Sequence, residues 1–403
     1  MKKLLIINVT ANSGSTGRIA EEIGQTAISN GYDTYFAYGR LARESKCKLI
    51  KIGKKLNVRL HGIESRLYDN HGFSSRIATK RFIKEIERIK PDIINIHNLH
   101  GYYINVKILF EYLNRTDIPI VWTFHDCWPF TGHCSHFIKH NCYKWKTECF
   151  SCPNTKGYPK SLLFDRSRTN YIKKKELFTN IEKLTIVSPS LWLSNLVKES
   201  FFKQKNIITI NNGVDVNTYN PINNHTNIKN KLNLNDEKII VGVASVWTYS
   251  KGFDDFIRLN ELLSDEYKII LVGLNKKQIE SLPENIIGIE RTESVHELAE
   301  LYSMADVFVN PTYSDNFPTT NIEALACGTP VITYKTGGSP EAIDEMTGIV
   351  VEQGNINKLK EAIESVAKDK AMYTGKCRER AVNLYNKQDR FNDYINLFNS
   401  LTK

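Results

Sequence analysis

Short apolar runs of strand length recur along the chain, and stretches with helical patterning fall between them. In the first half Leu4–Val9, Thr34–Tyr38, Asp92–Ile96, Ile118–Phe124 and Leu184–Val187 read as strands, with helices over Gly17–Asn30 and Lys80–Lys90. A second series, Ile239–Ala244, Lys268–Val272, Val307–Asn310 and Val331–Thr333, opens near Lys238. Near-continuous apolar runs belong to strands covered on both faces, and alternation with helices supplies the cover. The pattern predicts α/β architecture with a parallel, doubly wound sheet, and its restart predicts a second one. At 403 residues the chain is long for one core and ample for two. Between the series lies Ile210-Asn211-Asn212-Gly213-Val214-Asp215, whose Asn-Gly pair is a turn former. The tail, Glu379–Leu401, reads as helical.

The residues with the most chemistry are Asp315-Asn316-Phe317-Pro318-Thr319-Thr320-Asn321-Ile322-Glu323. Two acids flank a helix start, and a helix start offers unpaired backbone N–H groups and a positive dipole end to a phosphate. A carboxylate on either side of that phosphate can grip hydroxyl groups, which is the layout of a sugar nucleotide. The same residues spell a capping box, Thr320-x-x-Glu323, in which the acid serves only its own helix. Further on stand Ala-Cys-Gly-Thr-Pro-Val and Thr336-Gly337-Gly338-Ser339-Pro340-Glu341.

Together these segments resemble the E-x₇-E region of retaining glycosyltransferases of family four, which adopt the GT-B fold: two Rossmann-like doubly wound domains facing a deep cleft. Asp315 stands where the family has Glu. The resemblance implies that Asp315 positions the transferred sugar and Glu323 the ribose. It makes Asn316, Phe317, Pro318, Thr319 and Thr320 the donor-binding backbone between them. Lys251, ahead of Gly252, resembles the lysine that neutralises the donor diphosphate, but Val246 replaces its usual arginine partner. His125, in Thr123-Phe124-His125-Asp126, matches a histidine near the reaction centre; the alternative is a structural His bonded by Asp126. Ser13-Gly14-Ser15-Thr16-Gly17-Arg18 corresponds to the loop facing donor phosphates and acceptor, with Gly14 and Gly17 allowing close approach and Arg18 a spare cation. His97 and His100 fall on the acceptor side. The implied domains are 1–212, on the acceptor side, and 213–384, on the nucleotide-sugar side, with a helix at about 385–403 packing back onto the first. No metal or other cofactor is implied for catalysis.

Charge divides unevenly. Met1–Asn212 holds 34 Lys+Arg against 17 Asp+Glu, a net +17, and the remainder carries −7. A basic first half suits an anionic partner, such as a polyprenyl-diphosphate-linked glycan acceptor or an anionic membrane surface. No run approaches a membrane span, and Met1–Val9 turns polar too soon for a signal peptide. The expected setting is cytoplasmic, peripheral on the inner face of the plasma membrane. Two other functions stay open: a GT-B sugar-nucleotide epimerase, which needs no acceptor, and a zinc-stabilised nucleic-acid binder. The latter leaves Asp315 and Glu323 unexplained, and no nucleic acid is expected.

Five of the eight cysteines lie between Cys127 and Cys152, within an insertion spanning 127–165. In a reducing compartment Cys134-x₇-Cys142-x₆-Cys149-x₂-Cys152 reads as one structural zinc site, with free thiols or a His ligand (His133, His136 and His140 are near) as alternatives.

Overall fold

The computed structural model describes residues 1–402. Its backbone divides into two compact units, one of residues 1–210 with 391–403 and one of residues 211–390.

The first unit is built on a seven-stranded sheet of β1 (Lys3–Asn8), β2 (Asp33–Tyr38), β3 (Lys48–Lys51), β4 (Ile93–Ile96), β5 (Ile120–Thr123), β6 (Leu184–Ser188) and β7 (Asn206–Thr209), ordered β3-β2-β1-β4-β5-β6-β7. Every pairing is parallel. Side chains alternate across β1: Leu5 and Ile7 join one core, Leu4 and Ile6 the other. Burial on both faces explains why this strand is apolar almost throughout. Phe391, Tyr394, Ile395 and Phe398 of the last helix complete the second core.

The second unit holds six parallel strands: β8 (Lys238–Val243), β9 (Tyr267–Val272), β10 (Ile286–Ile289), β11 (Val307–Asn310), β12 (Val331–Tyr334) and β13 (Gly348–Val351), ordered β10-β9-β8-β11-β12-β13. Here too the pairings are all parallel. Ile239 and Val241 feed one core and Ile240 the other.

Two readings are corrected. The first helix begins at Gly14, not Gly17, because the chain turns through Ser13 directly into helix. The tail is two helices, Lys370–Tyr385 and Lys387–Leu401, not one. Around Asn386 the backbone pairs with Val214 instead of itself: Val214 N donates to Tyr385 O at 2.7 Å, and Lys387 N to Val214 O at 2.9 Å. Among the described residues no helix is long and apolar enough to cross a membrane.

In each sheet the order reverses once, between β1 and β4 and between β8 and β11. Ligands of open α/β sheets bind at the carboxyl ends of strands at such switch points. Those four strands therefore say where to look.

Candidate active site

In the second unit the loops after β8 and β11 are tied together. Tyr313 N and Thr312 Oγ1 both donate to Ser250 O, at 2.9 and 3.1 Å, and the Tyr249 and Tyr313 rings stack with centroids 5.0 Å apart. Gly252 permits this approach. It sits at φ +76°, and a Cβ there would lie 2.3 Å from Pro311 O. The result brings Lys251 to Asp315, Nζ to Oδ2, at 2.5 Å. Both side chains keep some exposure to solvent, 35% and 19%.

Asp315 leads into the helix Thr319–Ala326. Pro318 occupies its N-cap, and no side chain caps it. That overturns the capping-box reading: Thr320 lies inside the helix, so it cannot pair with Glu323 as a cap. A helix start without a side-chain cap leaves amide N–H groups for a ligand. Glu323, a turn further on, accepts a bond from the buried Tyr302 hydroxyl at 3.0 Å. Behind the helix, Asn321 Nδ2 donates to Ser339 O (3.2 Å) and contacts its Oγ (3.1 Å), Asn310 Nδ2 donates to Asn321 Oδ1 (2.7 Å), and Thr333 and Ser339 hydroxyls meet at 2.7 Å. This buried network fixes the helix start against β11, β12 and the Thr336–Glu341 turn. Phe317 is buried against Tyr385, and its carbonyl accepts from Asn212 at 3.1 Å.

In the first unit Gly14, Gly17 and Arg18 form the opening turn of the helix after β1, with Arg18 exposed. His97 and His125 follow β4 and β5, and their rings stack, Nδ1 to Nε2 at 2.9 Å. The tautomers follow from the next residue. Asn95 donates through Nδ2 to Val121 O at 3.0 Å, which turns its Oδ1 to His97 Nε2 at 2.8 Å. His97 therefore donates from Nε2 and accepts at Nδ1, so His125 donates from Nε2 and carries its acceptor at Nδ1. Asp126 acts on His125 through its charge. It bonds His100 Nε2 at 2.7 Å and Trp128 N at 2.9 Å. Burial would raise the Asp126 carboxyl, but the charge and hydrogen bond of His100 bring it down to about 2.

Burial depresses the pKa of His125 to about 4, His61 to about 3 and His97 well below its ordinary value. Each folded value lies below that of the unfolded chain, so the unfolded state binds more protons in between. Their stabilisation is complete above about pH 6.5 and is lost as pH falls through the folded values, about 4 for His125 and about 3 for His61. His133, raised because Asp69 outweighs its burial, acts the opposite way. Urea midpoints should fall steadily from pH 6.5 to 4.5, with His125 alone contributing on the order of 3 kcal/mol at most. A flat profile would mean these rings are not held neutral.

Cys134, Cys142, Cys149 and Cys152 line one cavity of ≈ 20 Å³, and all four are free thiols. Tyr302, Asn310 and Ser339 support the site without having been singled out as site residues from the sequence. Tyr302 in particular reads there as one more apolar-face aromatic.

Residues 16–218 match the model of glycosyltransferase family 4, and residues 224–385 that of glycosyl transferases group 1. The chain belongs to glycosyltransferase family 4. Over 99% of this chain and 100% of its own, it is 23% identical to an Escherichia coli (strain K12) protein named as a candidate colanic acid biosynthesis glycosyl transferase, WcaC. Among solved structures, sucrose-phosphate synthase from Thermosynechococcus elongatus superposes with a TM-score of 0.75 at 18% identity, covering 100% of this chain and 99% of that one. HepE from Anabaena, solved with UDP, gives 0.68 at 14%, covering 99% and 100%. The fold of this glycosyltransferase is GT-B.

Proposed function

We propose that this glycosyltransferase moves a sugar, with retention of anomeric configuration, from a nucleotide-sugar donor to a hydroxyl of a glycan or lipid-linked glycan in cell-surface polysaccharide biosynthesis. The observation that carries the reading is the Lys251–Asp315 pair at a helix start without a side-chain cap, with Glu323 one turn inside. In this reading Asp315 and Glu323 hold sugar and ribose hydroxyls, and the amides of Thr319 and Thr320 meet the phosphate. Lys251 stabilises the charge that gathers on the departing diphosphate. Fixed donors aimed at developing charge do this without reorganising, so a protein cation and helix dipole serve in place of a metal ion. His125 is read, on the family resemblance alone, as a contact of the transferred sugar. Retention follows from same-face attack, the leaving phosphate taking the acceptor proton.

The WcaC relative and HepE bound to UDP support a nucleotide-sugar donor and a polysaccharide acceptor. The +17 charge of residues 1–212 suits a polyprenyl-diphosphate carrier or the anionic membrane face that holds it. Incubating the protein with a panel of nucleotide sugars and a membrane extract should give nucleoside diphosphate release that requires the acceptor. The new glycosidic bond should keep the donor's configuration by NMR. Release of an epimerised sugar without acceptor would sink the transferase reading in favour of an epimerase.

Two substitutions test the ribose site. Glu323→Ala should weaken binding of UDP, or whichever diphosphate binds, by about 1–3 kcal/mol, and Tyr302→Phe by about 0.5–1.5 kcal/mol. Calorimetric titration measures both. Unchanged affinity with lowered stability would return Glu323 to a purely structural role.

A further inference from the structure

The loop between β5 and the helix Ser167–Thr179 contains a cluster that the transfer reaction does not use. Cys134, Cys142, Cys149 and Cys152 enclose, with His133, a cavity that has room for about one water or ion. Gly132 N donates to Cys149 Sγ at 3.3 Å.

Two further observations concern the walls of this cavity. His133 is 2% exposed; its Nδ1 lies 2.6 Å from Asp69 Oδ1, and its Nε2 has no partner. A carboxylate on one ring nitrogen fixes the tautomer and leaves the lone pair on the other, which is how a metal-ligating histidine is oriented. Second, Lys174 is buried, 1% exposed, with Nζ bonded to Trp128 O at 2.8 Å and Thr131 O at 3.0 Å and lying 3.5 Å from the Trp128 ring centre. Among the described residues no carboxylate stands in ion-pair contact with it, Asp69 and Asp126 acting only from farther off, and burying an ammonium is costly. Thr131 also lines the cavity.

We propose that this loop is a zinc centre held by Cys134, Cys149, Cys152 and His133 Nε2, with Asp69 orienting the histidine and Lys174 as the counter-charge. Three thiolates on Zn²⁺ leave one negative charge beside that of Asp69, which the ammonium offsets in part; a fourth thiolate would add another. Ligation displaces one thiol proton per cysteine to solvent, and from His133 the Nε2 proton that it carries when charged, with no change of oxidation state. Among the described residues no three such side chains already stand as a metal would hold them, so closing the shell takes rotation of the cysteine side chains into the cavity. Cys142, among the other three thiols, lines the cavity without being required. Four protein ligands fill a tetrahedral shell, so the centre is structural.

Elemental analysis of protein purified under reducing conditions without chelator should give about one zinc per chain. Replacing it with Co²⁺ should give the tetrahedral spectrum of a three-sulfur, one-nitrogen set. Cys142→Ser should keep that spectrum and His133→Ala should lose it. Asp69→Asn should weaken zinc binding by about 10–100-fold in a chelator competition. Absence of zinc together with no thiolate-to-cobalt band overturns the proposal, as does a disulfide found by mass spectrometry in the freshly purified reduced protein. A four-sulfur cobalt spectrum that Cys142→Ser abolishes and His133→Ala leaves intact overturns the ligand assignment. The wild-type spectrum needs no variant to fold, so these outcomes stand even if a cysteine variant is insoluble.

Discussion

Replacing Lys251 by Ala should lower turnover about 10²–10³-fold, the loss seen when one fixed donor is removed from developing charge. Binding of the uncharged nucleoside should stay at the wild-type level if, as proposed, the ammonium acts on the diphosphate. The salt bridge to Asp315 complicates a single substitution, since the carboxylate is left without its partner. Asp315→Asn and the double variant separate the effects, as residues in contact give non-additive losses. If Lys251 served only to hold Asp315, the double variant would be no worse than Asp315→Asn, and nucleoside and nucleoside diphosphate would weaken together. If its charge meets the leaving group, diphosphate affinity and turnover fall beyond the loss from Asp315→Asn, while nucleoside affinity does not.

How this pair arises shows what the sequence could and could not convey. Buried strands such as β1, β4, β5, β11 and β12 were legible because burial on both faces demands apolar residues almost throughout. The edge strands were not: β3 is Lys48-Leu49-Ile50-Lys51, largely exposed, and β7 is scarcely better covered. An edge strand has one neighbour and a solvent face, so its composition approaches that of a loop. The motif residues could be named in advance, but their contacts could not. Asp315 and Lys251 are brought together by Ser250 O accepting from the Tyr313 amide and the Thr312 hydroxyl of the other loop, and a backbone carbonyl as the shared acceptor leaves no mark in the sequence. For His125 the sequence offered its neighbour Asp126 as an alternative partner; the structure adds His97, delivered by the adjacent strand. Zinc-like cysteine spacing was visible, whereas Asp69 and Lys174, which single out His133, come from distant segments.

Gly337→Ala should be among the most damaging single-methyl additions in the second unit. Gly337 has φ +57°, where a Cβ costs roughly 1–2 kcal/mol. The larger effect is local: that Cβ would lie 1.9 Å from Asp315 O. Asp315 O belongs to backbone and a Cβ is fixed by the backbone that carries it, so neither can swing away as a side-chain tip would, and the Asp315 loop must move. A displacement near 1 Å in a positioning group can cost about 10²-fold in rate. Turnover should therefore fall by about that factor. Glu323, held by Tyr302 within the buried core, should keep nucleotide affinity within a few-fold of wild type. Gly375→Ala is the control. It lies in the helix Lys370–Tyr385, its added Cβ meets nothing within 4 Å, and it should gain about 1 kcal/mol of stability with turnover unchanged. Steady-state kinetics, calorimetric titration and urea midpoints on the two variants decide the matter. Full turnover in a folded Gly337→Ala protein would show that the position of Asp315 does not control the chemistry.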